Sequence, residues 1–247
     1  MRYLVLTDIH ANLEALEACL ADARARLFDR TLLLGDIVGY GADPNAVVAR
    51  VMELAPAALV RGNHDKAACG LEAPDGFNAA AQRAALWTRD TLTPEHRAWL
   101  AALPEGPRVV DELIEICHGT PFDEDAYVFD DVDALRALKA ARRALCLFGH
   151  THHPAIFEQA RGVASAVALR PPSTTALELQ RDVNYFVNPG AVGQPRDGDP
   201  RAAYAVVDTA RGHIELRRVG YRVEEAQAKV RKAGLPESLA ARLAVGR

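Results

Sequence analysis

Apolar residues arrive along this chain in short unbroken runs, and several runs stop abruptly at a polar cluster. Tyr3 to Leu6, Leu32 to Leu34 and Ala57 to Val60 are continuous, the pattern of strands buried on both faces. Leu13, Leu16 and Leu20 follow the first run at helical spacing. Asp43-Pro44 reads as N-cap and first helical residue ahead of Val47, Val48, Val51 and Leu54. Three consecutive βα units are therefore expected. Residues 65–103 are mainly helical and Ala-rich, with Thr93-Pro94-Glu95 opening a helix that carries Trp99, Leu100 and Leu103. This stretch is expected to act as both packing layer and cap-like lid, its Pro74-Asp75-Gly76-Phe77 turn reaching toward whatever is bound.

The second half changes character. Val109-Val110, Ile114 to Cys117, Leu145 to Phe148, Ala155 to Phe157, Ala176 to Leu179, Tyr185 to Val187, Ala203 to Val207 and Ile214 to Leu216 predict short strands. One clear helix, Asp131 to Ala141, interrupts them, and turns such as Asn188-Pro189-Gly190 and Asp197-Gly198-Asp199-Pro200 separate them. A helix from Glu224 to Lys232 ends at Gly234, and Pro236 opens a last short one. A βαβ half followed by a strand-rich half predicts an α/β chain of two sheets packed face to face with helices outside, a single domain over residues 1–247.

A net charge of -4 and a pI near 6.1 provide no general attraction to nucleic acid or anionic membrane. Nucleic acid stays open only if Arg61, Arg83, Arg89 and Arg196 form a basic groove. Cys19, Cys69, Cys117 and Cys146 are dispersed without a CxxC pair, which suits reduced thiols and a cytoplasmic location. The first apolar run is too short for a secretory signal, and no run approaches the length of a membrane span. Self-association of identical chains is left open.

The polar clusters change the picture most. Asp8-Ile9-His10, Gly35-Asp36-Ile37-Val38-Gly39, Gly62-Asn63-His64-Asp65, His118-Gly119-Thr120-Pro121 and Gly149-His150-Thr151-His152 each follow an apolar run, at strand ends where α/β sheets build their sites. Five of the eight histidines lie in these islands, so His96, His153 and His213 read as structural. Asp8 and His10 share one face if the backbone there is extended. Asn63 offers an amide oxygen to a hard cation, His64 can protonate a leaving oxygen, and Asp65 can fix the imidazole tautomer. His150 and His152, two apart, can serve one ion each. Oxygen and imidazole ligands without thiolate suit Mn, Fe, Ni, Co or Zn, and two such ions favour hydrolysis of a phosphoryl group.

Taken in order, these islands resemble the calcineurin-like metallophosphoesterases, especially their small bacterial and archaeal phosphodiesterase-like branch, from Asp8 through Asn188-Pro189-Gly190. The resemblance implies a four-layer α/β/β/α sandwich of two mixed sheets flanked by helices. It implies two divalent transition-metal ions, one on Asp8, His10 and His152, the other on Asn63, His118 and His150, with Asp36 bridging. His64 is implied as the acid, oriented by Asp65. Asn12 is implied either to meet the phosphate or to cap its helix. Arg196 is implied either to clamp phosphate or to join Asp197, Asp199 and Arg201 in a self-satisfied turn. The implied activity is hydrolysis of a small phosphoester or nucleotide, a phosphodiester first, by in-line attack of a metal-bound hydroxide. An idle binding scaffold and a nuclease of the same fold are the alternatives.

Overall fold

In the computed structural model, which describes residues 1–165, 167–169 and 175–247, the first strand shows how the interior is divided. Along β1 (Arg2–Leu6), Tyr3 and Val5 enter one apolar cluster while Leu4 and Leu6 enter another. Alternation sends successive side chains to opposite faces, so a strand with no polar face must lie inside a layered structure.

Two six-stranded mixed sheets follow from this. The first runs β3 (Ala58–Leu59), β2 (Arg30–Leu33), β1, β11 (Ala202–Asp208), β12 (His213–Val219), β9 (Thr175–Glu178), its first three strands parallel and the others antiparallel. The second runs β4 (Arg108–Val109), β5 (Ile114–Ile116), β6 (Leu145–Leu147), β10 (Val183–Asn188), β7 (Ala155–Ala160), β8 (Val167–Leu169), with β5, β6 and β10 parallel. Tyr3, Val5, Leu32 and Val207 of the first sheet meet Ile114, Ile116, Leu145 and Val187 of the second in the central core.

Helices cover both outer faces. α1 (Leu13–Arg24), α2 (Pro44–Leu54) and α5 (Pro94–Ala101) pack on the first sheet through Leu16, Leu20, Val47, Val51 and Leu100. α6 (Asp131–Ala140) packs Ala134, Ala137 and Leu138 against Phe148, Phe157 and Phe186 behind the second. The result is the four-layer α/β/β/α arrangement.

The remaining helices surround one end. α3 (Asn63–Cys69), a 3-10 turn at Pro74–Gly76 and α4 (Ala79–Thr91) account for most of the 65–103 stretch. α7 (Val223–Lys232) and α8 (Glu237–Leu243) join α4 and Tyr40 in a separate apolar cluster. One expected cap is absent: Pro44 begins α2, but the Asp43 carboxylate makes no capping bond and instead accepts from Lys229 Nζ at 2.6 Å. A charge-assisted bond to α7 displaces the local one. All four cysteines are free and buried. Among the described residues no helix is long and apolar enough to cross a membrane.

Candidate active site

The five islands leave the parallel strands of both sheets at one end, and the backbone bends sharply as it leaves. Asp8, His10, Asp36, His150 and His152 all adopt left-handed φ values, between 49° and 66°. Such a conformation costs a non-glycine residue about 1–2 kcal/mol, so the surrounding fold must impose it. The expectation that an extended backbone aims Asp8 and His10 together is therefore corrected: tight left-handed loops do so. Hydrogen bonds between neighbouring loops hold them, Asp8 N to Gly35 O at 3.1 Å, His10 N to Asp36 O at 3.0 Å and Ala11 N to Ile37 O at 2.9 Å. His150 N donates to both Asp8 carboxylate oxygens at 3.1 Å, tying the second sheet to the first.

These loops gather two groups of ligand-capable atoms. Asp8, His10, Asp36 and His152 form one; Asp36, His118 and His150 form the other. Asp36 belongs to both, and the geometry shows how. Its Oδ2 lies 3.5 Å from Nε2 of His10 and 3.5 Å from Nε2 of His118. Its Oδ1 accepts from His64 N at 2.9 Å, which fixes the carboxylate plane. Glycine is required at position 62, because a Cβ there would collide with Asp36 Oδ1. Asn63 adds its amide oxygen 3.4 Å from His118 Nε2.

The tautomers test whether cations fit. Nδ1 of His10, His118 and His152 faces the carbonyl oxygens of Val38, Leu34 and Gln194 at 3.0, 2.7 and 2.6 Å. A carbonyl only accepts, so in the neutral rings each Nδ1 carries the proton and each Nε2 presents a bare lone pair. Yet His10 Nε2 and His152 Nε2 are 3.1 Å apart, and His118 Nε2 is 3.1 Å from His150 Nδ1. The facing lone pairs of His10 and His152 repel unless something positive lies between them. At the second pair the positive charge is the His118 proton, which a cation can replace. Ligands about 2.1 Å from a metal are about 3.0 Å apart at octahedral and about 3.4 Å at tetrahedral angles, which matches these separations. The donor set fits two divalent cations.

Burial explains the electrostatics. Asp8, His10, Asp36, His118, His150 and His152 are each at most 3 % exposed. Burial lowers His10 and His152 well below the usual imidazole value and His150 to about 3, so all three are neutral and ready to ligate. Burial also lifts Asp8, a rise that His118 opposes and the Asp36 charge reinforces. His118 is the exception. Burial opposes its charge, but the Asp36 carboxylate holds it up at about 10, so a cation arriving there displaces a proton.

His64 lies beside these groups and in neither. Its ring is wedged between Tyr40 at 4.3 Å and Phe77 at 4.5 Å, and it meets the His10 ring edge-on at 4.9 Å. The Pro74 to Phe77 turn thus reaches the site through Phe77. Burial lowers His64 to about 4, with Arg196 adding to the effect and Asp36 opposing it.

Asp65 does not orient His64, whose Nδ1 is buried without a hydrogen-bond partner. The Asp65 carboxylate accepts instead from Ile37 N at 2.9 Å, Val38 N at 3.1 Å and Gly62 N at 3.0 Å. Orphan N–H groups at a helix start and a tight loop outcompete a single imidazole for this carboxylate. Asp65 therefore clamps the Asp36 loop to the Asn63 loop.

The other two candidates divide. Asn12 caps α1, accepting from Ala15 N at 3.1 Å, while its amide nitrogen donates to Gly193 O at 2.8 Å. Within the loop that follows, Asp199 pairs with Arg201 and Asp197 with Arg218, while Arg196 turns away toward Tyr40 and Gln194. Arg61, Arg83 and Arg89 engage Glu124, Gly234 O and Ala67 O.

Sequence reading did not identify Thr7, Tyr40, Tyr127 or Gln194. Thr7 Oγ1 donates to Asp8 Oδ2 at 2.9 Å, and Tyr127 covers the His150 ring at 3.9 Å. Thr7 and Tyr40 carried a signal through adjacency to an island, and Gln194 through its place in the Gly193 to Arg201 loop beside Arg196.

Comparison with known proteins now bears on this geometry. Residues 1–212 match the profile of the calcineurin-like phosphoesterase superfamily domain. The chain belongs to that superfamily. It is 36 % identical over 251 residues to the uncharacterized protein MJ0912 of Methanocaldococcus jannaschii, covering 98 % of this chain and 97 % of that one. The crystal structure of a metallophosphoesterase from Sphaerobacter thermophilus superposes with a TM-score of 0.87 at 41 % identity, over 100 % of this chain and 99 % of that chain. The hypothetical protein PH1004 from Pyrococcus horikoshii shares the fold, with a TM-score of 0.80 at 20 % identity over 100 % and 98 % of the two chains. Family and fold agree with an α/β/β/α phosphoesterase architecture. Residues 213–247, which include α7 and α8, lie beyond the matched profile.

Proposed function

We propose that this protein hydrolyses a phosphoester at a centre of two divalent transition-metal ions, with a phosphodiester the first substrate class to test. The observation that carries this reading is the shared Asp36 oxygen, 3.5 Å from one imidazole nitrogen of each ligand group. Asp8, His10 and His152 would hold one ion, Asn63, His118 and His150 the other, and Asp36 both. Bound cations there supply Lewis-acid polarisation of a phosphoryl oxygen and ease the deprotonation of water. Mn, Fe, Ni, Co and Zn all suit the donor set.

The chain's own groups favour direct water attack over a covalent intermediate. The hydroxyls next in sequence to the ligands are tied to the fold: Thr7 donates to Asp8, and Thr151 Oγ1 accepts from Asn188 Nδ2 at 3.0 Å. His64 is assigned the proton delivered to the leaving oxygen. A bound phosphoryl anion raises a neighbouring imidazole's pKa, so substrate itself charges the acid. Tyr40 and Phe77 fix the ring plane.

The deciding experiment is an activity matrix. Metal-stripped protein reloaded with Mn, Fe, Ni, Co or Zn is assayed against phosphomonoester, phosphodiester and nucleotide panels with metal content measured in parallel. Turnover that tracks two ions per chain supports the reading. Two bound ions with no turnover in any combination would leave a binding scaffold. On a chiral thiophosphate diester, direct attack predicts inversion at phosphorus, and retention would overturn it.

A further inference from the structure

Arg196 and Arg242 are held as a pair on the wall beside the metal-ligand loops. Arg196 Nη2 donates to the Tyr40 hydroxyl at 3.2 Å and to Gln194 Oε1 at 3.1 Å. Arg242, projecting from α8, donates Nη1 to that same Gln194 oxygen at 3.1 Å. Both guanidinium groups also lie over the Tyr40 ring, 5.6 and 6.0 Å from its centre. Two cations therefore share one neutral acceptor and one aromatic face.

Neither has an acidic partner among the described residues. The carboxylates of the same loop are engaged elsewhere, Asp199 on Arg201 at 2.6 Å and Asp197 on Arg218. Nε of both arginines is buried without a hydrogen-bond partner. Burial lowers the Arg242 pKa, and the Arg196 charge lowers it further. Like charges fixed together, partly desolvated and left with unused N–H donors make an incomplete arrangement that an anion completes. The pair is one aromatic ring from the metal ligands, since Tyr40 lies 4.7 Å from the His10 ring and 4.3 Å from the His64 ring.

We infer that Arg196 and Arg242 form a subsite for a second phosphoryl group, so that the substrate class is a phosphoester carrying at least two linked phosphoryl groups. The inference rests on the phosphoesterase reading for the first group. Two cations and His64 already match the charge of one phosphoryl group at the centre; two further fixed cations call for more negative charge than that group carries. Half of the subsite comes from α8, in the segment beyond the matched family profile.

Titration calorimetry of manganese-loaded protein with AMP and with ADP tests this, because the two ligands differ by one phosphoryl group. Wild type is expected to bind ADP at least tenfold more tightly than AMP. Arg196→Gln and Arg242→Gln should each reduce that ratio to threefold or less, and Arg242→Lys should keep most of it. Gln194→Glu places a carboxylate between the guanidinium groups; it should raise Tm and collapse the ratio. Equal wild-type affinities would overturn the inference. So would an Arg242→Gln variant that weakens both nucleotides equally, or a Gln194→Glu variant that is stabilised with the ratio intact, since either outcome marks a packing role only. Hydrolysis across the phosphomonoester, phosphodiester and nucleotide panels separates the two readings. Hydrolysis without an ADP preference removes the subsite alone, and an ADP preference without hydrolysis removes the phosphoesterase reading alone.

Discussion

The buried Asp and His cluster between the sheets and the Glu72, Glu124 and Asp125 cluster beside α3 both bring ligand-capable atoms within 4.8 Å of one another. They are opposites in what fills them. The acidic cluster holds the protein's own cation: Lys66, 2 % exposed, places Nζ 3.0 Å from Glu72, 3.0 Å from Glu124 and 2.6 Å from Asp125. Arg61 adds a second contact to Glu124 at 2.8 Å. In the central cluster His10 and His152 point their imidazole protons outward to carbonyls and bare nitrogens inward, while the inward proton of His118 is one that an arriving cation displaces. A gathering of ligands reads as a metal site when its donor atoms converge with no lysine or arginine between them, and as an ion-pair network when a lysine is already there.

Breaking the shared ligand should have the largest effect. Asp36→Asn is expected to reduce metal content at both positions and lower kcat/KM by about 1000-fold or more, read by metal analysis alongside phosphodiester turnover. Unchanged occupancy of two ions would remove the bridge. His64→Ala comes next, lowering kcat by roughly 100-fold to 10,000-fold while two ions per chain remain bound. Loss of metal with normal turnover by the remaining loaded protein would show that His64 is a ligand and not an acid.

The acidic cluster should respond in stability alone. Lys66→Met is expected to destabilise the fold by about 2–3 kcal/mol in urea denaturation, less than a fully buried pair costs because Glu124 keeps Arg61. Metal content should not change; if it falls, the two clusters are coupled.

The pH dependence sharpens the same contrast. Burial would raise Glu124, but Arg61 and Lys66 hold it below its ordinary 4.5, so its contribution is present above that value and lost as pH falls through the lower folded one. Asp125, which burial raises despite Lys66, works in the opposite direction. Acid denaturation of the Lys66→Met protein should therefore show a weaker loss of stability below about pH 4.5 than wild type. The smallest effect is expected at Asn12, where Ala removes the α1 cap at a cost of about 1 kcal/mol with metal content intact. Loss of metal there would show that the Gly193 contact supports the centre.

Much of the architecture is written locally. Leu4 and Leu6 against Tyr3 and Val5 announce a doubly buried strand, and Thr93-Pro94 starts α5 where its hydroxyl accepts from His96 N. Residue types alone also single out the side chains that the structure draws into the two ligand groups. Other features were invisible for identifiable reasons. Asp65 follows His64 in sequence, but its carboxylate serves N–H groups of residues 37 and 38. Asp43 looks like a cap, and a lysine 186 residues away takes it. Arg242 lies in an unremarkable C-terminal helix and gains meaning through Gln194 and Tyr40.

The order of strands and helices, the neutral and anionic donors, and the absence of thiolate are properties of the sequence, because they follow from side-chain chemistry and short-range periodicity. Which donors gather into each ligand group, which carboxylate belongs to both groups and which arginines stand together were decided by the tertiary structure. The physical reason is the left-handed backbone at Asp8, His10, Asp36, His150 and His152. No local preference produces that conformation in these residues; hydrogen bonds between loops from two packed sheets impose it.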